Sequence, residues 1–485
     1  MSSTPVRSQL VMQFGDASPG MQVINWEEYS YSTDFLVPCD AFTMKVGDKS
    51  ISPQLRQFVQ GGQKIQLVMQ ILDVNANVVS TNPIFTGFID QVTLETERKG
   101  TYYTLRGRNI LGPLCDGGID PWSSTYKFVD GQTLGDVMGT VFTTFGINTF
   151  FMSDVKNRQI TTGIDKNKAT LTQSTYEVTS EEVTVDEEDI TVEPTTTTTT
   201  ITQWIDPTNT FDMDETNIKK LQPKHDQTFM QFVEENLARF GVTCWAMADG
   251  SGVVIAAPDY TQQPLYTLVN KLNGQGNNVE NGRLEVDPFN MPSAIIAKGY
   301  SGGGDFQNTR IRTCKVNEYL GYNGSSVVAS VQAKINKFKG LTVLPPNTNI
   351  VNNYSQFFTP PQVPKIVYWE DDKSRTLDQL NNSVMRKMSE FQRAGFRLHY
   401  QVEDHAQLGT VWTKNTIVNV YDETLGILDK PFWILGVNYK KSRHSGTLTE
   451  LTLIPVGTLI LGPKGSKGSP SQSAPKGSTV PKTIK

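Results

Sequence analysis

The sequence predicts a mixed β and α+β fold, in which two similar antiparallel β-barrels are separated by an α+β insert. Three observations predict it. Short alternating strands fill residues 9–112, amphipathic helices and hairpins replace them in the middle of the chain, and the first pattern returns after residue 395. At 485 residues the chain is long enough for several domains, and it can bury roughly 75% of its unfolded surface.

The first predicted barrel covers residues 1–112. The stretch 26–47 alternates apolar and polar side chains, and the run QKIQLVMQILDVN (63–75) is apolar enough for a buried strand. Residues 83–109 read as a strand, a turn and a second strand. Short strands joined by Gly and Asn turns are typical of a barrel or a sandwich.

The predicted α+β domain covers residues 113–285. Residues 133–146 carry apolar side chains at helical spacing, between a Thr that can cap the helix and a Gly that can end it. Residues 228–241 repeat this pattern, and the strand–turn–strand run VTCWAMADGSGVVIAA (242–257) follows directly. A helix packed on a hairpin is an α+β unit.

An acidic, Thr-rich insertion, at about residues 165–203, interrupts this domain. Residues 177–193 hold eight acidic side chains and no Lys or Arg, and the run PTTTTTT follows. Alternating Val and Thr favour an extended β-arm over coil. The acids could face a cation or repel DNA, or the segment could simply be a solvated excursion.

The second predicted barrel combines residues 286–320 with residues 395–461. Between them, residues 321–394 hold a Pro-rich surface crossing and then a third amphipathic helix at 376–395. Residues 462–485 form a predicted flexible basic tail, with five lysines and no acids among Gly, Ser and Pro.

An internal repeat links the two predicted barrels. Three pairs of segments share a pattern rather than identity: 42–47 with 396–401, 62–74 with 413–425, and 82–92 with 430–440. Within the last pair, Gly87 and Gly436 are expected at similar points on their strands, where the backbone must bend or approach another chain closely.

The sequence offers no catalytic, cofactor or metal constellation. The four histidines lack metal-ligand spacing, no nucleophile motif occurs, and the Gly-rich runs do not match a phosphate loop. The four cysteines are far apart and are expected to be free thiols. A net charge of −5 does not indicate a nucleic-acid binder, and no apolar run is long enough for membrane insertion.

Three stretches together resemble a known family. They are GFIDQVTLETERKGTYYTLRGRNILGPLCDGGI (87–119), DQTFMQFVEENLARFGVTCWAMADGSGVVIAAP (226–258) and VNVYDETLGILDKPFWILGVNYKKSRHSGTLTELTLIP (418–455). Their order is similar to that of the baseplate central hub proteins of contractile-tailed phages, the Mu-like late control tail protein family, and to the hub part of type VI secretion spike proteins. Asn109 stands where that family commonly has Asp, and the Thr-rich insertion, the Pro-rich crossing and the basic tail depart from its pattern.

The resemblance implies a structural virion protein rather than an enzyme. Hubs of this kind are homotrimeric rings, in which three chains with two barrels each present six near-equivalent units to a sixfold tail tube and threefold symmetry to a central spike. The implied partners are the tail tube protein, the central spike protein, the baseplate wedge proteins and the tape measure protein. DNA would only pass through the channel, and assembly would take place in the host bacterial cytoplasm.

Two other classes stay open on the sequence. One is a tail-associated receptor or carbohydrate-binding protein, and the other is a cell-wall-degrading tail enzyme. A lectin-like site would need an exposed aromatic platform, and the seven tryptophans do not cluster along the chain. The sequence does not separate a contractile tail from a non-contractile tail or from a phage-like injection device, and it does not name the host.

Overall fold

A computed structural model gives the fold. It describes residues 7–15, 22–23, 25–51, 56, 59–98, 100–128, 133–152, 160–161, 170–186, 189–205, 211–212, 222–239, 241–260, 262–301, 309–320, 333, 335, 341–344, 354–357, 364–371, 377–442 and 446–459. The predicted tail, 462–485, and most of the predicted Pro-rich crossing lie outside these residues.

Residues 7–109 are mostly β, with a short 3-10 helix at Asp48–Ser50. Alternating burial follows the alternating sequence, so that β3 buries Tyr29, Tyr31 and Thr33 and exposes the residues between them to differing degrees. The strands are β1 (Arg7–Phe14), β2 (Gln22–Val23), β3 (Glu28–Asp34), β4 (Ala41–Gly47), β5 (Lys64–Leu72), β6 (Val78–Glu97) and β7 (Gly100–Asn109).

The middle of the chain holds the predicted α+β unit. Thr133 and Asp136 form a capping box at the start of α2, and Gly146 follows its end with a φ of 67°. The elements are α1 (Gly112–Asp116), α2 (Leu134–Thr143), β8 (Asn148–Phe151), β9 (Ile160–Thr161), β10 (Thr170–Asp186), β11 (Asp189–Ile205), β12 (Phe211–Asp212), α3 (Phe229–Arg239), β13 (Thr243–Ala246) and β14 (Gly252–Ala256).

The acidic insertion is the extended arm that its composition favours. Strands β10 and β11 pair with each other in an antiparallel ribbon whose ladder runs from Thr170–Ile205 to Asp186–Asp189. Seventeen residues per strand make it roughly 55 Å long at about 3.3 Å per residue.

The C-terminal half returns to strands around one long helix. Helix α4 ends at Gly395, where the sequence predicts its end, and β21 begins at the next residue. The elements are β15 (Tyr266–Asn270), β16 (Val279–Val286), β17 (Ala294–Ser301), β18 (Thr309–Val316), β19 (Thr342–Leu344), β20 (Ile366–Asp371), α4 (Leu377–Gly395), β21 (Phe396–Glu403), β22 (Ala406–Gln407), β23 (Thr410–Val411), β24 (Ile417–Asp422), β25 (Ile427–Ser442) and β26 (Gly446–Pro455).

One 13-stranded sheet contains both predicted barrels. Its order is β16-β21-β26-β25-β3-β4-β7-β6-β5-β1-β2. Off this path, β24 also pairs with β25, and β15 pairs with β24. The sequence predicts two similar antiparallel β-barrels, but within the described part of the chain the ladders form one open path and no closed barrel. The reason is that β3 pairs with β25, which joins the two halves edge to edge instead of letting each close on itself.

The pairing also divides the chain differently from the predicted ranges. Strands β17 and β18, from the range 286–320 assigned to the second barrel, lie in a separate four-stranded sheet of order β19-β18-β17-β20, against which α4 packs. Strands β15 and β16, from the range 113–285 assigned to the α+β domain, pair with β24 and β21 in the large sheet.

A single large hydrophobic core lies under the 13-stranded sheet. It includes buried side chains from both halves of the chain, such as Met44, Leu105, Leu398 and Leu451. The α+β unit has its own core between α2, α3 and the hairpin β13–β14. None of the helices in the described ranges is long and apolar enough to cross a membrane.

Candidate functional site: the junction between the two repeats

The large sheet contains the same strand arrangement twice. In the first repeat the neighbours are β3-β4-β7-β6-β5-β1, and in the second they are β16-β21-β26-β25-β24-β15. Each neighbouring pair is antiparallel in both repeats except the last, because β1 runs antiparallel to β5 whereas β15 runs parallel to β24. The segment pairs proposed from the sequence lie on β4 and β21, β5 and β24, and β6 and β25, so the internal repeat is confirmed at the level of topology.

The two repeats align through a shared irregularity. Strand β6 has a bulge at Asp90 against β7, and β25 has one at Leu435 against β26. With these bulges matched, Ile89 corresponds to Ile434. Each of these residues also makes a pair of backbone hydrogen bonds to the chain just before β5 or β24, respectively.

This alignment corrects the expected equivalence of Gly87 and Gly436. Gly87 lies three residues before its bulge and corresponds to Phe432, whereas Gly436 directly follows its bulge and corresponds to Gln91. The two glycines are therefore in different environments. The sequence pattern carries no information on strand register, so the expected equivalence is wrong by four residues.

Close packing against the neighbouring strand explains the Gly at position 87. A Cβ atom there would lie 2.1 Å from the Arg108 carbonyl oxygen and 2.6 Å from the Asn109 Cα, both of which are backbone atoms. At Gly436 a Cβ would meet the Thr33 carbonyl oxygen and the Asp34 carboxylate at 3.2 Å. Gly436 lies against β3, so the second glycine is located where the two repeats meet.

The junction consists of Tyr29–Asp34 on β3 and Gly436–Lys441 on β25. The register pairs Tyr31 with Tyr439, and their rings stack in parallel with centroids 5.5 Å apart. Both rings are 2% exposed, so the junction is part of the core on this face. On the other face Ser30 donates a hydrogen bond to the Asn438 side chain at 3.0 Å.

A buried ion pair ties the two repeats together beside this ladder. The Lys414 ammonium donates to Asp40 at 2.8 Å and to the Asp34 carbonyl oxygen at 3.2 Å. Asp40 also accepts a long hydrogen bond, 3.4 Å, from the Asn109 side chain. Such a pair gives directional specificity, because each charge is costly to bury without its partner.

A second polar connection surrounds His405, whose side chain is fully buried. Its Nδ1 lies 2.8 Å from the Thr449 hydroxyl and its Nε2 lies 2.7 Å from the Tyr29 hydroxyl. Since the Thr449 hydroxyl donates to the Asp404 carbonyl oxygen, it accepts from Nδ1–H, and Nε2 accepts from Tyr29. Burial lowers the pKa of His405 to about 3, so the ring is neutral.

The opposite face of the sheet is polar and carries a shallow open groove of about 440 Å³. Its charged lining residues carry both signs, and Arg283 contacts Glu285. His399 lies there, and burial lowers its pKa. Within the described ranges no group of three or more His, Cys, Asp or Glu is placed to hold a metal. This face therefore presents a polar surface with charges of both signs.

Of the two remaining histidines, the structure describes His225. His225 packs edge-on against the exposed Trp122, with ring centroids 4.9 Å apart, and His444 lies outside the described residues. All four cysteines are free. Sequence reasoning missed that Cys39 and Cys115 meet, and their thiols share a hydrogen bond.

The edges of β6 and β16 are among those of the large sheet that have no ladder partner within the described residues. On β6 the ladder with β5 stops at Phe88, which leaves residues 91–96 paired only with β7. On β16 the ladder with β21 occupies one edge, and the other edge of residues 282–286 is unpaired. Exposed edges of this kind are sites where another chain can add strands.

Comparisons with known proteins place the fold. No family model matches the chain, and no curated protein matches its sequence. A tail protein from Neisseria meningitidis MC58 is 16% identical, with a TM-score of 0.56, over 93% of this chain and 98% of that protein. The 43 kDa tail protein of prophage MuSo2 from Shewanella oneidensis is 14% identical, with a TM-score of 0.57, over 93% of this chain and 99% of that protein.

Both similarities extend over nearly the whole of each chain, so they cover both repeats and the α+β unit. At these identities they establish the fold and not the activity. The chain therefore has the fold of phage tail proteins, as its resemblance to the Mu-like late control family predicts.

Proposed function

We propose that the chain is a structural hub of a phage tail baseplate. Three copies form a ring in which the two repeats of each copy give six near-equivalent units around a channel. One side of the ring binds the sixfold tail tube, and the other binds the threefold central spike. The baseplate wedge proteins and the tape measure protein are further partners, and the ring works without catalysing a reaction.

The duplicated strand order is the observation that carries this proposal. A homotrimer can match sixfold symmetry only if each chain presents two similar units with a similar contact between them. The chain meets this condition, since β3-β4-β7-β6-β5 and β16-β21-β26-β25-β24 are antiparallel sheets of the same order, joined side by side. The whole-length similarity to tail proteins supports the same conclusion.

The polar face of the large sheet fits the wall of a channel for DNA. Its charges occur in pairs of opposite sign, including Lys440 with Glu450 at 2.6 Å and Lys45 with Glu95 at 3.8 Å. Tight DNA binding requires clusters of Lys and Arg that displace counterions from many phosphates. A face of balanced charge lets DNA pass without being retained.

Electron microscopy of the assembled particle tests the proposal. We expect three copies of the chain at the end of the tail tube, arranged so that the first and second repeats alternate around the axis at steps near 60°. The protein would be located in the virion tail after assembly in the host cytoplasm. A sixfold ring with one repeat per position, or a single copy in a finished tail, would overturn the proposal.

A further inference from the structure

Each chain contains one junction between its repeats, formed by one strand from each repeat. Each of these two strands has an equivalent in the other repeat. Strand β25 of the second repeat pairs with β3 of the first. The corresponding strands are β6 in the first repeat and β16 in the second, and each of them has an unpaired edge in the described part of the sheet. One chain cannot bring these edges together as it does β3 and β25, because they lie on opposite sides of the joined repeats.

The alignment of the repeats gives a register for this second junction. Strand β6 corresponds to β25, with Gln91 equivalent to Gly436. Strand β16 corresponds to β3, with Leu284 equivalent to Tyr31. Transferring the β3–β25 pairs then sets Val92 opposite Val286, Leu94 opposite Leu284, and Glu95 opposite Arg283.

The side chains at these positions are complementary. Leu94 is 58% exposed, whereas its counterpart Tyr439 is 2% exposed because it stacks on Tyr31. In the transferred register Leu94 gains the partly buried Leu284 as its cross-strand partner. Coverage by a neighbouring strand would explain why an apolar residue lies exposed at this position.

The charges on the polar face agree with the same register. Glu95 and Arg283 are directly opposed, and their side chains are 48% and 73% exposed within one chain. Each already forms an ion pair within its own chain, Glu95 with Lys45 and Arg283 with Glu285. The result across the edges would be an alternating row of Lys45, Glu95, Arg283 and Glu285, which favours this pairing over one shifted by two residues.

We propose that residues 91–96 of β6 in one copy pair antiparallel with residues 282–287 at β16 in the next copy, with Leu94 opposite Leu284. The partner is a second copy of this chain, so the inference rests on the proposed ring and specifies its contact. Three such contacts alternate with three β3–β25 junctions and join the sheets of three copies into a continuous ring. The contacts cover the free edges of β6 and β16, which removes a route to aggregation.

Cysteine cross-linking tests the register directly. In the ring, the double variant Leu94→Cys with Leu284→Cys should form covalent dimers and trimers on mild oxidation, because opposed residues of antiparallel strands lie about 4.5–5.5 Å apart. The matched control is Thr93→Cys with Leu284→Cys, since adjacent residues point to opposite faces of the sheet. We expect at least about tenfold more cross-linked chain for the first pair than for the control, or for either single variant.

The outcome separates the register from the proposed function. A native mass equal to three chains, together with cross-linking at Leu94 and Leu284, supports both. A trimer in which neither pair cross-links, or in which the control pair cross-links equally, overturns the register. It does not contradict the proposed hub function. A chain that stays monomeric in the finished tail overturns both, and cross-links to a different tail protein would identify another occupant of this edge.

Charge reversal provides an independent test that does not depend on cysteine chemistry. Glu95→Arg and Arg283→Glu should each weaken the trimer by about tenfold in the concentration of half-assembly, because like charges then oppose each other at three contacts. The double variant should recover most of this loss. Glu403→Arg, an exposed position on an inner strand of the same sheet, is the control and should have no comparable effect. Failure of the double variant to recover would count against the register.

Discussion

At the scale of single residues, the two glycines expected to be equivalent should behave differently. Gly87→Ala places a methyl group against the backbone of β7, which cannot move without disturbing the ladder. We expect a loss of about 3 kcal/mol in unfolding free energy for Gly87→Ala and about 1 kcal/mol for Gly436→Ala, where the contacts are longer. Urea denaturation of the isolated chain measures both, and equal losses would contradict this assignment.

His405 should make the stability of the fold depend on pH. Its pKa is about 3 in the folded state and near 6.5 when exposed, chiefly because burial disfavours the charged ring, with Lys441 adding to the effect. Between these two pKa values, His405 is protonated in the unfolded chain and neutral in the folded chain. The stabilisation is complete above about pH 6.5 and is lost as the pH falls toward 3, with a slope of up to about 1.4 kcal/mol per pH unit.

A His405→Gln variant isolates this effect. Gln cannot titrate, and it retains hydrogen-bonding atoms for Tyr29 and Thr449, the two hydroxyl groups that face the ring. The difference in unfolding free energy between the native chain and the variant should shrink as the pH falls from 6.5 to 4. A constant difference across that range would show that His405 is not the titrating group.

Cys115 should be the most reactive of the four thiols. The hydrogen bond from Cys39 lowers the pKa of Cys115 and raises that of Cys39, while burial raises the pKa values of Cys244 and Cys314. Because the thiolate is the nucleophile, iodoacetamide should label Cys115 first at pH 7. Cys39→Ala should slow that labelling, as peptide mass spectrometry would show, and first labelling at Cys244 would contradict the assignment.

At the scale of elements, the sequence predicts those whose signals are local. The capping box at Thr133 and Asp136, the end of α4 at Gly395 and the hairpin β13–β14 are each encoded within a few residues. The pairing of β5, β6 and β7 is local as well, because these strands follow one another as hairpins. Local signals do not encode which edges meet, so the β3–β25 junction and the Lys414–Asp40 pair were not predicted.

The register error has the same origin. A bulge adds one residue to a strand without changing its apolar pattern, and neither Asp90 nor Leu435 is a residue type that marks a bulge. The sequence shows a glycine near each bulge, but these two glycines are not at equivalent positions of the two repeats. Long-range polar contacts such as His405 with Tyr29, 376 positions apart in sequence, leave no local signal either.

The ribbon of β10 and β11 should be dispensable for the stability of the rest of the chain. Its two strands pair only with each other in the described residues, and an isolated two-stranded ribbon contributes little stability. Replacing residues 170–205 by a short Gly-Ser linker should change the melting temperature by less than about 2 °C. A drop of about 5 °C or more, measured by calorimetry, would show that the ribbon packs on the fold.

At the scale of the whole molecule, the two repeats should unfold as one unit. They share one hydrophobic core, and the junction of Tyr31 with Tyr439 is buried within it. Because opening either repeat exposes the apolar face of the other, neither is a separate domain in the energetic sense, even though the strand order is duplicated. The strand topology is therefore duplicated, but equilibrium unfolding should show a single transition for both repeats.

Hydrogen exchange of the isolated chain tests this cooperativity. Amides of β5 and β24 belong to different repeats and lie outside the β3–β25 junction itself, yet we expect them to exchange through openings of equal free energy and equal denaturant dependence. Tyr439→Ala removes the stacked pair at the junction, and it should lower the protection of both strands by the same amount. If β5 kept its protection while β24 lost it, the repeats would be independent domains in contact, and the rigid two-repeat unit on which a symmetric ring depends would not exist.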